Sequence, residues 1–395
     1  MPKGKIINIE WLIDYNRDEE EIFIQKKISW IMDEIKQAAD AGADTVILIM
    51  LIDGFLILDS NIFHLQMSVI NAECEKIGIK NVILLSGHGE NFDNLTNKFF
   101  FMDYTLRMTY NGYKDMIDRL PSYNSDNHKF LCLGGVSTRP NRIGLIKRLY
   151  ENKLLEKAEW SFFSPCTTHD EDWCRDYCKD YNDTEYKTFL DKTIRSVDTV
   201  YEDCKEYFGD YSHSENPIEW HKISEKDFMK NPGYIEPKIF EKTSFSIISE
   251  GINYWSWSTN LSFVTEKFWR TVFMRHPFIL AGYTQQFKYI KYLGFKTFEQ
   301  YLPEKNYALI ENEEHRLDAV VRNAQWLLEN QMRIKNDLEK DVEYNFNLAL
   351  EYVNKQNKLF KTLQDEYGVD RSDISFYLDR SGYEHLIRNS KDAVN

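Results

Sequence analysis

The chain has 395 residues, 43% of them hydrophobic and 28% charged, which is long enough for two domains with full cores and ordinary for a water-soluble globular protein. A formal net charge of −14 argues against a broad nucleic-acid surface, because neutralising phosphates supplies most non-specific affinity. The start of the chain turns acidic near Glu19 without a long apolar core, and the apolar run Thr45 to Leu58 is broken by Asp53 and Gly54, so neither a secretory signal nor a membrane span is expected and the reading is a soluble, cytoplasmic protein.

In chain order, Lys5 to Ile13 predicts a strand, Glu20 to Ala41 a helix, and Asp44 to Ile52 a strongly apolar strand. A helix over Ile62 to Ile77 and a third strand over Asn81 to Leu85 follow, the latter leading into Ser86-Gly87-His88-Gly89-Glu90. Strands alternating with helices predict a parallel sheet covered on both faces. The polar stretch Pro121 to His128 separates a second alternating unit, which starts at Lys129. Here Phe130 to Leu133 reads as a buried strand, Gly134-Gly135 permits a sharp turn, Ile143 to Tyr150 is amphipathic, and Trp160 to Phe163 is a further strand. The turn carries Arg139 and Arg142, whose planar guanidinium groups suit bidentate phosphate binding; the competing reading is a solvated helix start.

Between Ser164 and Lys242 the sequence is charged, Tyr-rich and weakly periodic. Cys166, His169, Cys174 and Cys178, with Cys204 further on, could wrap a structural zinc, but the spacing matches no zinc pattern closely and unpaired thiols in a reducing compartment are the expectation. Cys74 and Cys132 fall in a predicted helix and strand as small core residues.

The densest chemistry lies between Phe245 and Phe298. Phe245 to Ser249 alternates like a strand and runs into a carboxylate, Glu250. After a polar, aromatic loop, Thr265 is an N-cap candidate for a helix carrying Phe268, Trp269, Val272 and Phe273 on one face; His276-Pro277 ends it before a strand at Phe278 to Ala281. The start of such a helix attracts phosphate through exposed N–H groups and the dipole. Lys267 and Arg270 there oppose the dipole unless an anion is bound, and Glu266 can accept both hydrogen bonds of a ribose diol; a solvated helix start is the alternative.

A strand ending in Glu250, a variable loop, Val264-Thr265-Glu266-Lys267-Phe268, a helix, then a strand flanked by Pro277 and Gly282 resembles the donor-binding segment of alpha-1,3-fucosyltransferases, within the GT-B glycosyltransferases. The chain is also similar to uncharacterised phage and giant-virus proteins that carry a T-E-K helix, HPFI and LGFKTF in this order. The resemblance covers roughly residues 129 to 300. It implies two Rossmann-like α/β domains facing a cleft, with an acceptor-side domain over 1–127, a donor domain over 128–311 containing an irregular insertion at 165–242, and a helical region over 312–395. It also implies a nucleoside diphosphate sugar as co-substrate, fucose or similar, an inverting and metal-independent transfer, and a bacterial or viral setting. Arg139 or Arg142, Lys267 and the helix start at Thr265 would hold the diphosphate, Glu266 the ribose, and Glu250 would lie near the donor sugar. Gly251 stands where the fucosyltransferases usually have Asn, which leaves base and sugar open.

An inverting transfer also needs a base for the acceptor hydroxyl, and His88 and Glu90, on the glycine-flanked loop at the sheet edge, are the candidates. Asp170-Glu171-Asp172 superficially resembles the Asp-x-Asp metal site of GT-A glycosyltransferases, yet its surroundings read as an acidic helix start, so no metal is expected. The acceptor stays open among glycan, lipid, protein and modified nucleobase. Two other classes remain: a non-catalytic, virion-associated protein binding glycans or partner chains through the aromatic loop Tyr254 to Trp257, and a different transferase or phosphatase on an α/β sheet. From Asn312 onward Leu317, Val320, Val321, Ala324, Trp326 and Leu327 mark one helix, and a long charged one runs from about Ile334 to Tyr367, a surface suited to packing across a domain or a second copy.

Overall fold

The computed structural model describes residues 4–8, 20–50, 60–86, 98–101, 103–120, 123, 127–136, 140–163, 237–250 and 264–369. These fall into two compact units, one made of the described residues up to 108 together with 350–369, the other of those between 109 and 349.

The first unit holds strands β1 (Gly4–Asn8), β2 (Thr45–Met50), β3 (Asn81–Ser86) and β4 (Lys98–Phe101), all parallel and in sequential order. Helices α1 (Glu20–Asp40) and α2 (Ser60–Lys76) connect the first three strands. Alternation along the strands divides their apolar side chains between two faces. Val46, Leu48, Val82 and Leu84 pack with Ile31, Met32 and Ile35 of α1 and with Met67, Ile70 and Cys74 of α2. Right-handed crossovers in a sheet wound in one direction place the connecting helices on one face, so the other face needs a cover from elsewhere. That cover comes from the far end of the chain: Ile47, Ile49, Ile83 and Leu85 pack with Leu359, Leu363, Tyr367 and Val369. A Cβ on Gly4 would lie 2.8 Å from Val369 Cγ2 and 2.9 Å from Tyr367 O, so the returning chain requires a residue without one.

Two elements of this region were not expected from sequence, β4 and α3 (Tyr104–Tyr113). The strand is four residues long, and the face of α3 that is buried includes Thr109 beside Leu106 and Tyr113, which blurs its apolar period. Asp103 starts that helix, its Oδ1 accepting from Leu106 N and Thr105 Oγ1 at 2.8 Å each.

The second unit is built on β5 (Phe130–Val136), β6 (Ala158–Phe163), β7 (Phe245–Ile248) and β8 (Phe278–Leu280), in the spatial order β6-β5-β7-β8 and again parallel. Helix α4 (Pro140–Glu151) links β5 to β6, and α5 (Glu266–Phe273) links β7 to β8. Phe130 and Phe245 stack across β5 and β7 at 5.4 Å, and Phe268 of α5 meets Phe278 and Phe295 edge to face at 5.6 and 5.3 Å. After β8 come α6 (Thr284–Tyr292), α7 (Glu313–Asn330) and the first part of α8 (Lys335–Tyr367). Helix α7 lies along α4, where Arg148 bonds Asp318 at 2.6 Å and also pairs with Glu314. Asn345 of α8 is tied to Lys296 by N–H and carbonyl bonds of 2.8 and 2.9 Å.

The region over 312–395 is thus no separate helical part in its described portion: α7 and the start of α8 complete the second unit, and the end of α8 completes the first. The second unit also begins at 109, ahead of the expected Lys129, because Thr109, Tyr113 and Tyr123 are already buried before β5. Among the described residues no helix is long and apolar enough to cross a membrane.

Candidate functional site

The strand order of the second unit has one reversal. The chain leaves β5 outward to β6, then returns to the other side of β5 as β7 and continues outward to β8. The connections at the carboxyl ends of β5 and β7 therefore part in opposite directions, and ligands of open α/β sheets bind in the crevice this creates. Both α4 and α5 start at that edge.

Thr265 caps α5, its Oγ1 accepting from Lys267 N at 3.3 Å. Glu250, two residues beyond β7, is 0% exposed and holds this cap in place: Oε1 accepts from Thr265 N at 3.1 Å and Oε2 from the Thr265 hydroxyl at 2.7 Å. Burial raises the Glu250 carboxyl above the ordinary range, against the opposing pull of the Lys267 charge and the two Thr265 bonds. With both oxygens engaged on Thr265 and no exposed surface, it positions the helix start.

Lys267 Nζ lies 2.9 Å from Glu266 Oε1, and Arg270 Nη2 lies 3.6 Å from the same oxygen. Burial works to raise the Glu266 pKa, but Lys267 and Arg270 outweigh it and hold the carboxyl at about 2. Lys267 is therefore paired with Glu266 and does not stand unopposed against the helix dipole.

Asn141, in the first turn of α4, joins the two helix starts. Its Nδ2 donates to Glu250 O at 2.7 Å and lies 3.5 Å from Ala281 O, so one buried amide ties α4 to the ends of β7 and β8. Arg142 is the next residue; it sits inside α4, not in the turn before it, and is 8% exposed. The sequence-derived set is thus brought together as Glu250, Thr265, Glu266, Lys267 and Arg270, with Arg142 one residue from the amide that reaches Glu250. The two helix starts carry Arg142 and Lys267, with Arg270 reaching Glu266 from the last turn of α5, against two carboxylates, one of them pushed toward its neutral form. Such an edge suits an anion.

Arg139, His88, Glu90, Tyr254 to Trp257, Asp170 to Asp172, Cys166, His169, Cys174, Cys178 and Cys204 lie outside the described residues. Among the described residues no cluster of His, Cys, Asp and Glu could hold a metal, and Cys74 and Cys132 are buried free thiols, as core residues should be. Sequence reasoning missed Asn141. An Asn behind Pro140 in a first helical turn was the available signal, since such a side chain needs a partner.

Comparison of the chain with family models, curated proteins and solved structures gives no match.

Proposed function

We propose that the chain is a glycosyltransferase of the GT-B type, transferring a sugar from a nucleoside diphosphate sugar to an acceptor hydroxyl with inversion and without a metal. The observation that supports this best is the Asn141 bridge, which fixes the starts of α4 and α5 at the switch point between β5 and β7. Breaking the anomeric C–O bond leaves negative charge on the diphosphate, and cations and helix N–H groups aimed there stabilise it. In this reading Lys267, Arg142 and the α5 start hold the diphosphate, and Arg139 stays a sequence candidate for the same role. Glu266 turns to the ribose once phosphate replaces it as the partner of Lys267. Glu250 keeps Thr265 in register. The acceptor oxygen attacks the anomeric carbon as the diphosphate leaves, and its proton passes to a base for which His88 and Glu90 are the sequence candidates. The resemblance to alpha-1,3-fucosyltransferases supports fucose or a similar sugar.

Calorimetric and thermal-shift titration of the full chain against UDP, GDP, ADP and CDP and their sugar derivatives tests the proposal. A ligand at about 100 times its dissociation constant stabilises the fold by about 2.7 kcal/mol. Binding of one nucleotide series, followed by acceptor-dependent release of its diphosphate with inverted anomeric configuration, is the expected result. Absence of binding across the whole panel refutes it.

A further inference from the structure

Glu250 stands directly behind the start of α5, with Thr265 N 3.1 Å from its Oε1 and Thr265 Oγ1 2.7 Å from its Oε2. It is 0% exposed, so water does not screen its charge. An anion at the same helix start is drawn by the same dipole and repelled by an ionised Glu250. Among the described residues, the charges acting on the Glu250 carboxyl are Lys267, which favours its ionised form, and Glu266, which disfavours it; Arg270 lies 3.6 Å from Glu266 Oε1. Helix α4 meets Glu250 through Asn141, with Arg142 next in sequence, and the same amide reaches Ala281 after β8, two residues before Tyr283.

The cap geometry tolerates loss of that charge. Thr265 Oγ1 accepts from Lys267 N at 3.3 Å and gives its own proton to Glu250 Oε2. A proton placed on Oε2 reverses this bond: the carboxyl donates to Thr265 Oγ1, the Thr265 hydroxyl turns its own proton elsewhere, and Oε1 still accepts from Thr265 N. The cap is kept, the negative charge is gone, and the start of α5 has one more donor. We propose that Glu250 takes up a proton when an anion binds at the α5 start, so that anion affinity falls as pH rises. This rests on the diphosphate reading of the helix starts, and it makes Glu250 a positioning residue whose charge regulates the site. Burial already raises its carboxyl above the ordinary range, and a nearby anion moves it further the same way. The Glu266 carboxyl, held at about 2, stays ionised between pH 5 and pH 8 and does not imitate the effect.

Glu250→Gln makes the neutral form permanent, since its amide oxygen accepts from Thr265 N and its NH2 donates to Thr265 Oγ1. The full chain and this variant are titrated with inorganic pyrophosphate by calorimetry from pH 5 to pH 8, in two buffers of different ionisation enthalpy, with melting temperatures read alongside. The expected result is affinities that converge toward pH 5 and a wild-type affinity about tenfold below the variant's at pH 8. The wild type should also take up more protons per pyrophosphate bound, by up to about one. Protonation of pyrophosphate itself is common to both chains and cancels from the comparison. A ratio of affinities independent of pH overturns the proposal, as does a variant that binds more weakly at every pH; either leaves Glu250 a structural partner of the cap. If the variant fails to fold, the wild-type proton count, corrected for pyrophosphate's own protonation, decides, and no uptake at any pH overturns the proposal. A wild-type chain that binds no pyrophosphate at any pH instead removes the diphosphate reading itself, and the proton uptake with it.

Discussion

Replacing Lys267 by Met separates the ion-pair role that the structure shows from the diphosphate-binding role proposed for this side chain. Its ammonium is 2.9 Å from Glu266 Oε1, with side-chain exposures of 18% and 24%, so the pair is largely shielded from water. The Glu266 carboxyl is held at about 2 against an ordinary 4.5, a difference equivalent to roughly 3 kcal/mol at 1.36 kcal/mol per pKa unit. Arg270 shares that effect and partial exposure weakens it, so Lys267→Met should cost about 1–2 kcal/mol at pH 7. Because the Glu266 pKa is depressed on folding, its contribution is complete above about 4.5 and disappears as pH falls toward 2. The stability gap between wild type and variant should therefore narrow on acidification through that window. Pyrophosphate affinity should fall about 10- to 100-fold, the range for a lost charged hydrogen bond. Urea unfolding at pH 7 and pH 3 and calorimetry at pH 7 measure the two effects. Wild-type pyrophosphate affinity in the variant would show that Lys267 is a structural ion-pair residue alone, and a gap independent of pH would sink the ion-pair account of its stability.

Glu250→Gln should preserve stability at pH 7, since an amide still accepts from Thr265 N and can donate to Thr265 Oγ1, whereas Glu250→Ala should cost about 1–3 kcal/mol by leaving the cap's buried groups unmatched. Burial raises the Glu250 pKa on folding, so its contribution favours folding most below the ordinary carboxylate range and declines as pH rises through the raised value; Glu250→Gln should flatten this part of a chemical-denaturation pH profile. His276 is 3% exposed, and burial lowers its pKa from 6.5 to about 4 against the upward pull of the Thr243 and Phe240 carbonyls. The neutral ring donates from Nε2 to Thr243 O at 2.9 Å and accepts at Nδ1 from Ser246 Oγ at 2.8 Å. Its contribution is present above pH 6.5 and is lost toward pH 4, so wild type should lose roughly 2 kcal/mol more than His276→Gln between pH 7 and pH 5 in urea titrations; parallel losses would contradict the assignment. Gly282→Ala should destabilise by about 1–3 kcal/mol because the new Cβ displaces Gln286, and adding Gln286→Ala should relieve much of that cost in a double-mutant cycle.

What the sequence disclosed follows from the range of the interactions involved. The cap at Thr265, the apolar face of Phe268, Trp269, Val272 and Phe273, and the strand boundaries on either side are set by residues a few positions apart, and they are legible for that reason. The position of Glu250 at a strand end was legible too, but its enclosure was not, because Thr265 returns to it from 15 residues downstream. Asn141 meets Glu250 O across 109 residues, and the reversal between β5 and β7 depends on strand order, which no local pattern encodes. Lys267 illustrates the same limit. Its place in a first helical turn argued for an unopposed cation, and the adjacent carboxylate turned toward it instead.

The sharing of α8 between the two units has a consequence for synthesis. From Leu85, the last core residue of β3, to Leu359, the first of α8 that packs on the same sheet face, the chain runs 274 residues. At about 5–20 residues per second, a ribosome needs roughly 14–55 s to cover that distance. For this interval a growing chain has one sheet face packed and the other, Ile47, Ile49, Ile83 and Leu85, waiting for its cover. The first unit to emerge is thus the last to be finished, and its maturation waits on the second. A nascent chain stalled or cut before residue 359 presents a bare aliphatic surface, the kind of surface on which chaperones act and aggregates start.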